Sequence, residues 1–305
     1  MRKSQGQKQT SHRPRRCRRF PTRISEPLNP RAPEPLELVA ETRREFEKAA
    51  YPKYRESIQR FFKEPIDFYG VKTPDARRIY SESFNRVKHL PKREILEICE
   101  MLHKGPGHDV RAQGGQSLQA LGHDPNSPEE LGHVPRRART ASKYEEHAMA
   151  FSWAGRLVKK LEPADFVTLE RWLKLHVSNW AACDTFCGGA VGEFLLRFPQ
   201  FLPKVRKWAL SENRWLRRAS AVALIPAAKQ EKYLPEAYKT ADVLLEDEDD
   251  MVQKGYGWLL KEIANKRAQE VFEFVLERKD RMPRTALRYA IEKMPAAWKK
   301  RAMAK

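Results

Sequence analysis

The chain has 305 residues, 59 Lys and Arg against 40 Asp and Glu, a formal net charge of +19 and a mean hydropathy of −0.73. No apolar run approaches the ~20 residues of a membrane-spanning helix. The 7 Trp, 14 Phe and 9 Tyr are too many for a uniformly disordered chain, and the length suffices for a sizeable core. The charge excess points to a polyanionic partner, with nucleic acid first and an anionic membrane surface second.

Residues 1–35 hold ten basic side chains and two acids, so this segment carries +8 and the remainder +11. Rich in Pro, Ser and Gln and nearly free of aliphatic residues, it reads as a disordered basic arm. It is either a phosphate-binding tail or targeting segment, or a dispensable extension or wrongly placed start. Residues 36–305 read as one folded domain. Helical patterns cover 37–51, 53–62, 75–85 and 92–102. Residues 104–143 then hold six of the 14 glycines and four prolines, and read as an irregular insertion or a diverged segment. Next, Phe166, Leu169, Leu173 and Val177 make a helical stripe over 164–177, announced by Pro163. Further helices are predicted over 201–210, 215–225, 232–245, 252–264, 268–276 and 284–294.

No stretch sustains period-2 alternation, so no sheet is predicted. Short helices on short loops imply antiparallel neighbours, and helix pairs recur every ~40 residues. The fold class is therefore all-α: a HEAT-like α-solenoid of antiparallel helix pairs. A basic concave face would suit a duplex.

The cysteines are Cys17, Cys99, Cys183 and Cys187, too few for a disulfide framework at this length. Cys183 and Cys187 share a helical face near His176, yet a metal site would need two more ligands at matching spacing. Buried thiols in a reducing compartment are the default, and no metal is expected. No secretory h-region follows Met1, which suits a cytoplasmic protein, nucleoid-associated if bacterial. His147, in Tyr144-Glu145-Glu146-His147, is a weak acid–base candidate against a plain surface helix start. The acidic run 246–250 reads as a solvated loop capping the next helix.

Four strings stand out. They are Phe68-Tyr69-Gly70-Val71-Lys72-Thr73-Pro74 with Arg77-Arg78, and Arg171-Trp172-Leu173 running into Ser178-Asn179-Trp180-Ala181-Ala182-Cys183-Asp184. The others are Asn213-Arg214-Trp215-Leu216-Arg217-Arg218-Ala219 and Val252-Gln253-Lys254-Gly255-Tyr256-Gly257-Trp258-Leu259-Leu260-Lys261-Glu262. In this order and spacing the chain resembles the AlkD family of HEAT-like-repeat DNA glycosylases over roughly 36–103 and 143–295. The resemblance implies removal of cationic N3- and N7-alkylpurines from duplex DNA without extruding the base. It implies Trp180, Asp184 and Trp258 as catalytic residues and Arg218 as a DNA contact, with Arg217 as the neighbouring alternative. It calls for no metal and no other cofactor. The expected partner is double-stranded DNA carrying alkylated purines, with no membrane, and the protein is expected to be a monomer. Segment 104–143 departs from the family's helical pattern.

The residues support part of this on their own. Trp180 and Asp184, four apart, share one helical face. A carboxylate on a basic surface is anomalous near phosphates. Beside a deoxyribose losing a cationic base, it would stabilise oxocarbenium charge or orient water. Aromatic faces pack on sugars and stabilise nearby cations, and an arginine grips phosphate with two parallel donors. Against this, single helical tryptophans usually fill cores, which is the reading for Trp172, Trp208 and Trp215. Arg217 and Arg218 diverge by about 100°, so at most one faces DNA squarely. Gly255 and Gly257, like Gly188 and Gly189, allow either close helix packing or a close ligand. Two rivals keep the fold without the chemistry: a non-catalytic protein that binds altered duplex DNA, and a protein-interaction scaffold.

Overall fold

The computed structural model describes residues 34–105 and 142–304. The basic arm 1–35, apart from its last two residues, and most of segment 104–143 lie outside the described residues. No strand forms among the described residues; Ala50 and Val71 make one isolated antiparallel bridge. The fold is an all-α solenoid.

Helix α1 (Pro35–Ala49) opens on a proline, which suits a first helical turn, and buries Leu38, Val39, Thr42 and Phe46 at helical spacing. Helix α2 (Pro52–Gln59) buries nothing fully. Helices α3 (Thr73–Val87) and α4 (Lys92–Lys104) pack with α1, and α5 (Tyr144–Leu157) packs on α4. Helix α6 (Phe166–His176) leads to α7 (Trp180–Phe186), a π-helical turn (Cys187–Val191) and α8 (Gly192–Arg197). There follow α9 (Leu202–Trp208), α10 (Arg214–Val222), α11 (Ile225–Ala228), α12 (Leu234–Val243), α13 (Asp250–Ala264), α14 (Ala268–Arg278), α15 (Arg284–Ala290) and α16 (Ala296–Met303). Helices α5, α7, α10, α13 and α15 form one row in which each packs on the next. Helices α9, α12 and α14 back that row. Trp172, Trp208 and Trp215 are buried, as core residues should be. Helix α16 lies beyond the predicted series, because its basic residues blur the apolar stripe.

The start of α5 corrects the sequence expectation. It is a helix start, but Glu145, Glu146 and His147 are buried rather than at the surface. Their burial is possible because each finds partners far along the chain. Glu146 accepts from Arg43 Nε at 2.9 Å, from Arg43 Nη2 at 2.8 Å and from the Tyr69 hydroxyl at 2.7 Å. Glu145 accepts the backbone N–H groups of Tyr69, Gly70 and Val71 at 3.0, 2.9 and 3.1 Å. That carboxylate ties down the turn of the first string, where Gly70 has φ of +89°. A Cβ at Gly70 would also lie 2.7 Å from Arg55 Cβ, so the turn needs glycine on both counts.

Candidate active site

Three helices of the row meet at one ion pair, Asp184 of α7 with Arg218 of α10, which also bonds α13. Helix α7 is capped by Asn179, whose side chain accepts the Ala182 N–H at 2.9 Å. That cap fixes Trp180 at the first helical position and Asp184 one turn later. Helix α10 is capped by Asn213, which accepts the Trp215 N–H at 2.9 Å. Helix α13 is capped by Asp249, which accepts the N–H groups of Met251 and Val252 at 2.8 and 3.3 Å. The acidic run thus supplies the cap that its sequence suggests.

The two arginines of α10 diverge as the helical pitch requires, and both are engaged within the protein. Arg218 donates to Asp184 through Nε at 2.9 Å and Nη2 at 2.8 Å, the parallel fork typical of arginine and carboxylate. Its third donor, Nη1, goes to the Met251 carbonyl at the start of α13. With a side chain only 6% exposed, Arg218 holds Asp184 rather than presenting a free fork to phosphate. Arg217 pairs with Asp247 through Nε at 2.6 Å and donates to the carbonyls of Ser211 and Glu212, each at 2.9 Å. The reason in both cases is proximity: an acid stands opposite each guanidinium on a neighbouring element. Gly255 lets α13 come close to this pair, since a Cβ there would lie 3.1 Å from Arg218 Cγ. At Gly257 it would lie 2.7 Å from Tyr289 Cβ, so close helix packing accounts for both glycines. Gly188 and Gly189, by contrast, face open space.

Asp184 keeps 20% of its side chain exposed. Burial raises its pKa above the ordinary aspartate range, against the lowering charge and hydrogen bonds of Arg218. Burial also works against the Arg218 cation, but the Asp184 charge more than offsets it, so its pKa is raised. Trp258 stands one turn beyond Gly255 on α13, half-buried, with its indole N–H donating to Glu262 at 2.8 Å. The profile of a family described as DNA alkylation repair enzyme matches residues 42–143 and 138–294. The chain belongs to that family.

A solved structure titled "Predicted DNA alkylation repair enzyme from Enterococcus faecalis" superposes with a TM-score of 0.63 at 15% identity. The match covers 81% of this chain and 97% of that one, and at this identity it shows the shared fold alone. No curated protein matches the chain. Membership of the DNA alkylation repair family makes this an enzyme of alkylation repair with DNA as its partner. No helix among the described residues is long and apolar enough to cross a membrane.

In this family member the segment 61–64 leans on the site from the N-terminal helices. The Trp180 indole N–H donates to the Phe61 carbonyl at 3.0 Å, and its ring stacks on Phe62 at 5.4 Å and 17°. Lys63 pairs with Asp250 and Glu64 with Arg214. Beside Trp180 opens a cavity of about 550 Å³ lined by Tyr54, Phe62, Val71, Arg77, Tyr144 and Thr185 among others. The segment 61–64, the Met251 carbonyl and Glu262 are site features that sequence reading misses. Their partners lie up to 187 residues away, and no spacing rule reaches so far. Cys99, Cys183 and Cys187 are buried free thiols, and Cys183 contacts the Trp215 carbonyl at 3.8 Å.

Proposed function

We propose that the protein is a DNA glycosylase that hydrolyses the N-glycosidic bond of cationic N3- and N7-alkylpurines in duplex DNA, opening a base-excision route. The observation that carries this reading is a part-exposed carboxylate, Asp184, held by two parallel N–H donors from Arg218. Alkylation has already placed positive charge on the purine. As the bond from C1′ to the ring nitrogen breaks, its electron pair neutralises the base and positive charge moves to the sugar. An anion fixed beside that sugar is stabilising in the transition state more than in the ground state. Water then adds to C1′ and gives up its proton, with Asp184 orienting that water or accepting the proton. Trp180 and Trp258 offer aromatic faces to the deoxyribose and the cation.

Arg218 enters as a positioning residue, because its fork sets the direction of the carboxylate and favours its charged form. Base extrusion is not needed, in keeping with the resemblance, and the protein acts as a monomer. The test is release of 7-methylguanine and 3-methyladenine from methylated duplex DNA by the purified protein. Release that tracks enzyme concentration and leaves abasic sites supports the reading. Tight duplex binding with release no faster than in buffer refutes it and favours the non-catalytic DNA-binding alternative.

A further inference from the structure

His103 near the end of α4, His147 in the first turn of α5 and His176 at the end of α6 converge at one point. One ring nitrogen from each lies within 4.8 Å of the other two. His103 Nδ1 and His147 Nδ1 are 2.8 Å apart, and the His103 and His176 rings stack at 4.2 Å and 3°. His103 and His147 are buried and His176 is half-buried. The other nitrogen of His103, Nε2, is buried with no hydrogen-bond partner among the described residues. A buried polar atom left unpaired costs about 1–3 kcal/mol. Burial also holds all three imidazoles neutral at pH 7, with His147 pushed down to about 4 and His176 to about 3.

We propose that these three histidines form a binding site for a divalent transition-metal ion, with zinc as the best match. A donor set of three imidazoles suits zinc and its neighbours in the first transition row, and excludes magnesium and calcium, which take oxygen ligands. Bonds of about 2.0–2.1 Å in tetrahedral array put ligand nitrogens roughly 3.3 Å apart. That spacing falls between the shortest and longest separations seen, so rotation of the rings, chiefly His176 out of its stack, completes the site. Arg171 and Lys104 are nearby charges that oppose a cation, and the pairing of Arg171 with Glu100 blunts part of that opposition.

The metal would be a staple. It would join α4 and α5, beside the hydrogen bond from Ser142 to the Leu102 carbonyl at 2.6 Å. It would also fix the end of α6, three residues before the Asn179 cap of α7. This proposal does not depend on the glycosylase reading.

The experiment titrates chelator-treated full-length protein with zinc against a chromophoric competitor, with magnesium as control. We expect one zinc per chain, three imidazole ligands by X-ray absorption fine structure, and a melting temperature raised by about 5–10 °C at a hundredfold excess over Kd. His176→Ala, at the half-buried edge, is expected to keep the fold by circular dichroism and to weaken zinc binding at least tenfold. His103→Ala and His147→Ala are expected to do the same where they fold. Less than one zinc per chain, fewer than three imidazoles around it, or wild-type affinity in His176→Ala overturns the proposal.

Discussion

Gly255 and Gly257 sit two residues apart on α13, and alanine at each is expected to produce opposite defects. At Gly255 the added Cβ lies 3.1 Å from Arg218 Cγ and 3.5 Å from Nη1, so the arginine stem must retreat by a few tenths of an ångström. Arg218 is fastened at Asp184 and at the Met251 carbonyl, so the stem cannot retreat without dragging its guanidinium and the carboxylate with it. A misplacement of about 1 Å costs about a hundredfold in rate, and a few tenths should cost roughly threefold to tenfold. Stability should hardly change, because removing a mid-helix glycine gains about 0.5–1 kcal/mol and offsets the strain. At Gly257 the Cβ would meet Tyr289 Cβ at 2.7 Å and the Ala286 carbonyl oxygen at 2.9 Å. Backbone of α15 cannot step aside locally, so overpacking of about 1–3 kcal/mol is expected. That corresponds to a melting temperature lower by roughly 2–10 °C. The folded fraction of Gly257→Ala should keep the wild-type rate. The assay is single-turnover release of 7-methylguanine at saturating enzyme, beside a thermal melt. A wild-type rate in Gly255→Ala, or a destabilisation equal to that of Gly257→Ala, refutes the coupling of Arg218 to the chemistry.

Three further outcomes are expected. Asp184→Asn should lower single-turnover release about 10²- to 10³-fold while duplex affinity by fluorescence anisotropy stays near wild type; a rate within threefold of wild type removes Asp184 from the mechanism. The proposed reaction needs Asp184 ionised, so activity is expected to fall as pH drops through its pKa. Since burial raises that pKa and Arg218 opposes the rise, the acid limb of the rate profile should lie above the ordinary carboxylate range. It should move to still higher pH in Arg218→Met; a limb that stays in place or moves down contradicts this. Arg43→Met strands the buried Glu146 carboxylate and should cost about 3–5 kcal/mol in urea unfolding; a loss under about 1 kcal/mol would show that Tyr69 suffices as its partner.

Helices with a clean apolar stripe were legible because burial on one face leaves a 3.6-residue signature, as with Phe166, Leu169 and Leu173 of α6. The start of α5 was not, because local pattern treats Glu-Glu-His as solvent-facing. Only the fold brings up Arg43, from 103 residues away, to make that burial tolerable. The site divided in the same way. Helical phase puts Trp180 and Asp184 on one face and drives Arg217 and Arg218 apart. It gives no means of knowing that each arginine would meet an acid, 30 and 34 residues distant. The histidine cluster stayed hidden for the same reason, with its members spread over the ends of three helices. The resemblance supplied the candidate site residues; the structure supplied what each of them touches.

The guanidinium of Arg218 belongs to α10, yet it bonds a side chain of α7 and a carbonyl of α13. In a stack where layers touch mainly their neighbours, flexing is shared among many small hinges. One side chain fastened to three consecutive layers removes two hinges at that point. The array should therefore be mechanically stiffest at Asp184 and more compliant toward its ends. A duplex seated there would meet an unyielding anvil, so the cost of fitting the two shapes together would fall on the DNA. Sequences or lesions that soften the helix would then be favoured through their bending energy, without any base being read.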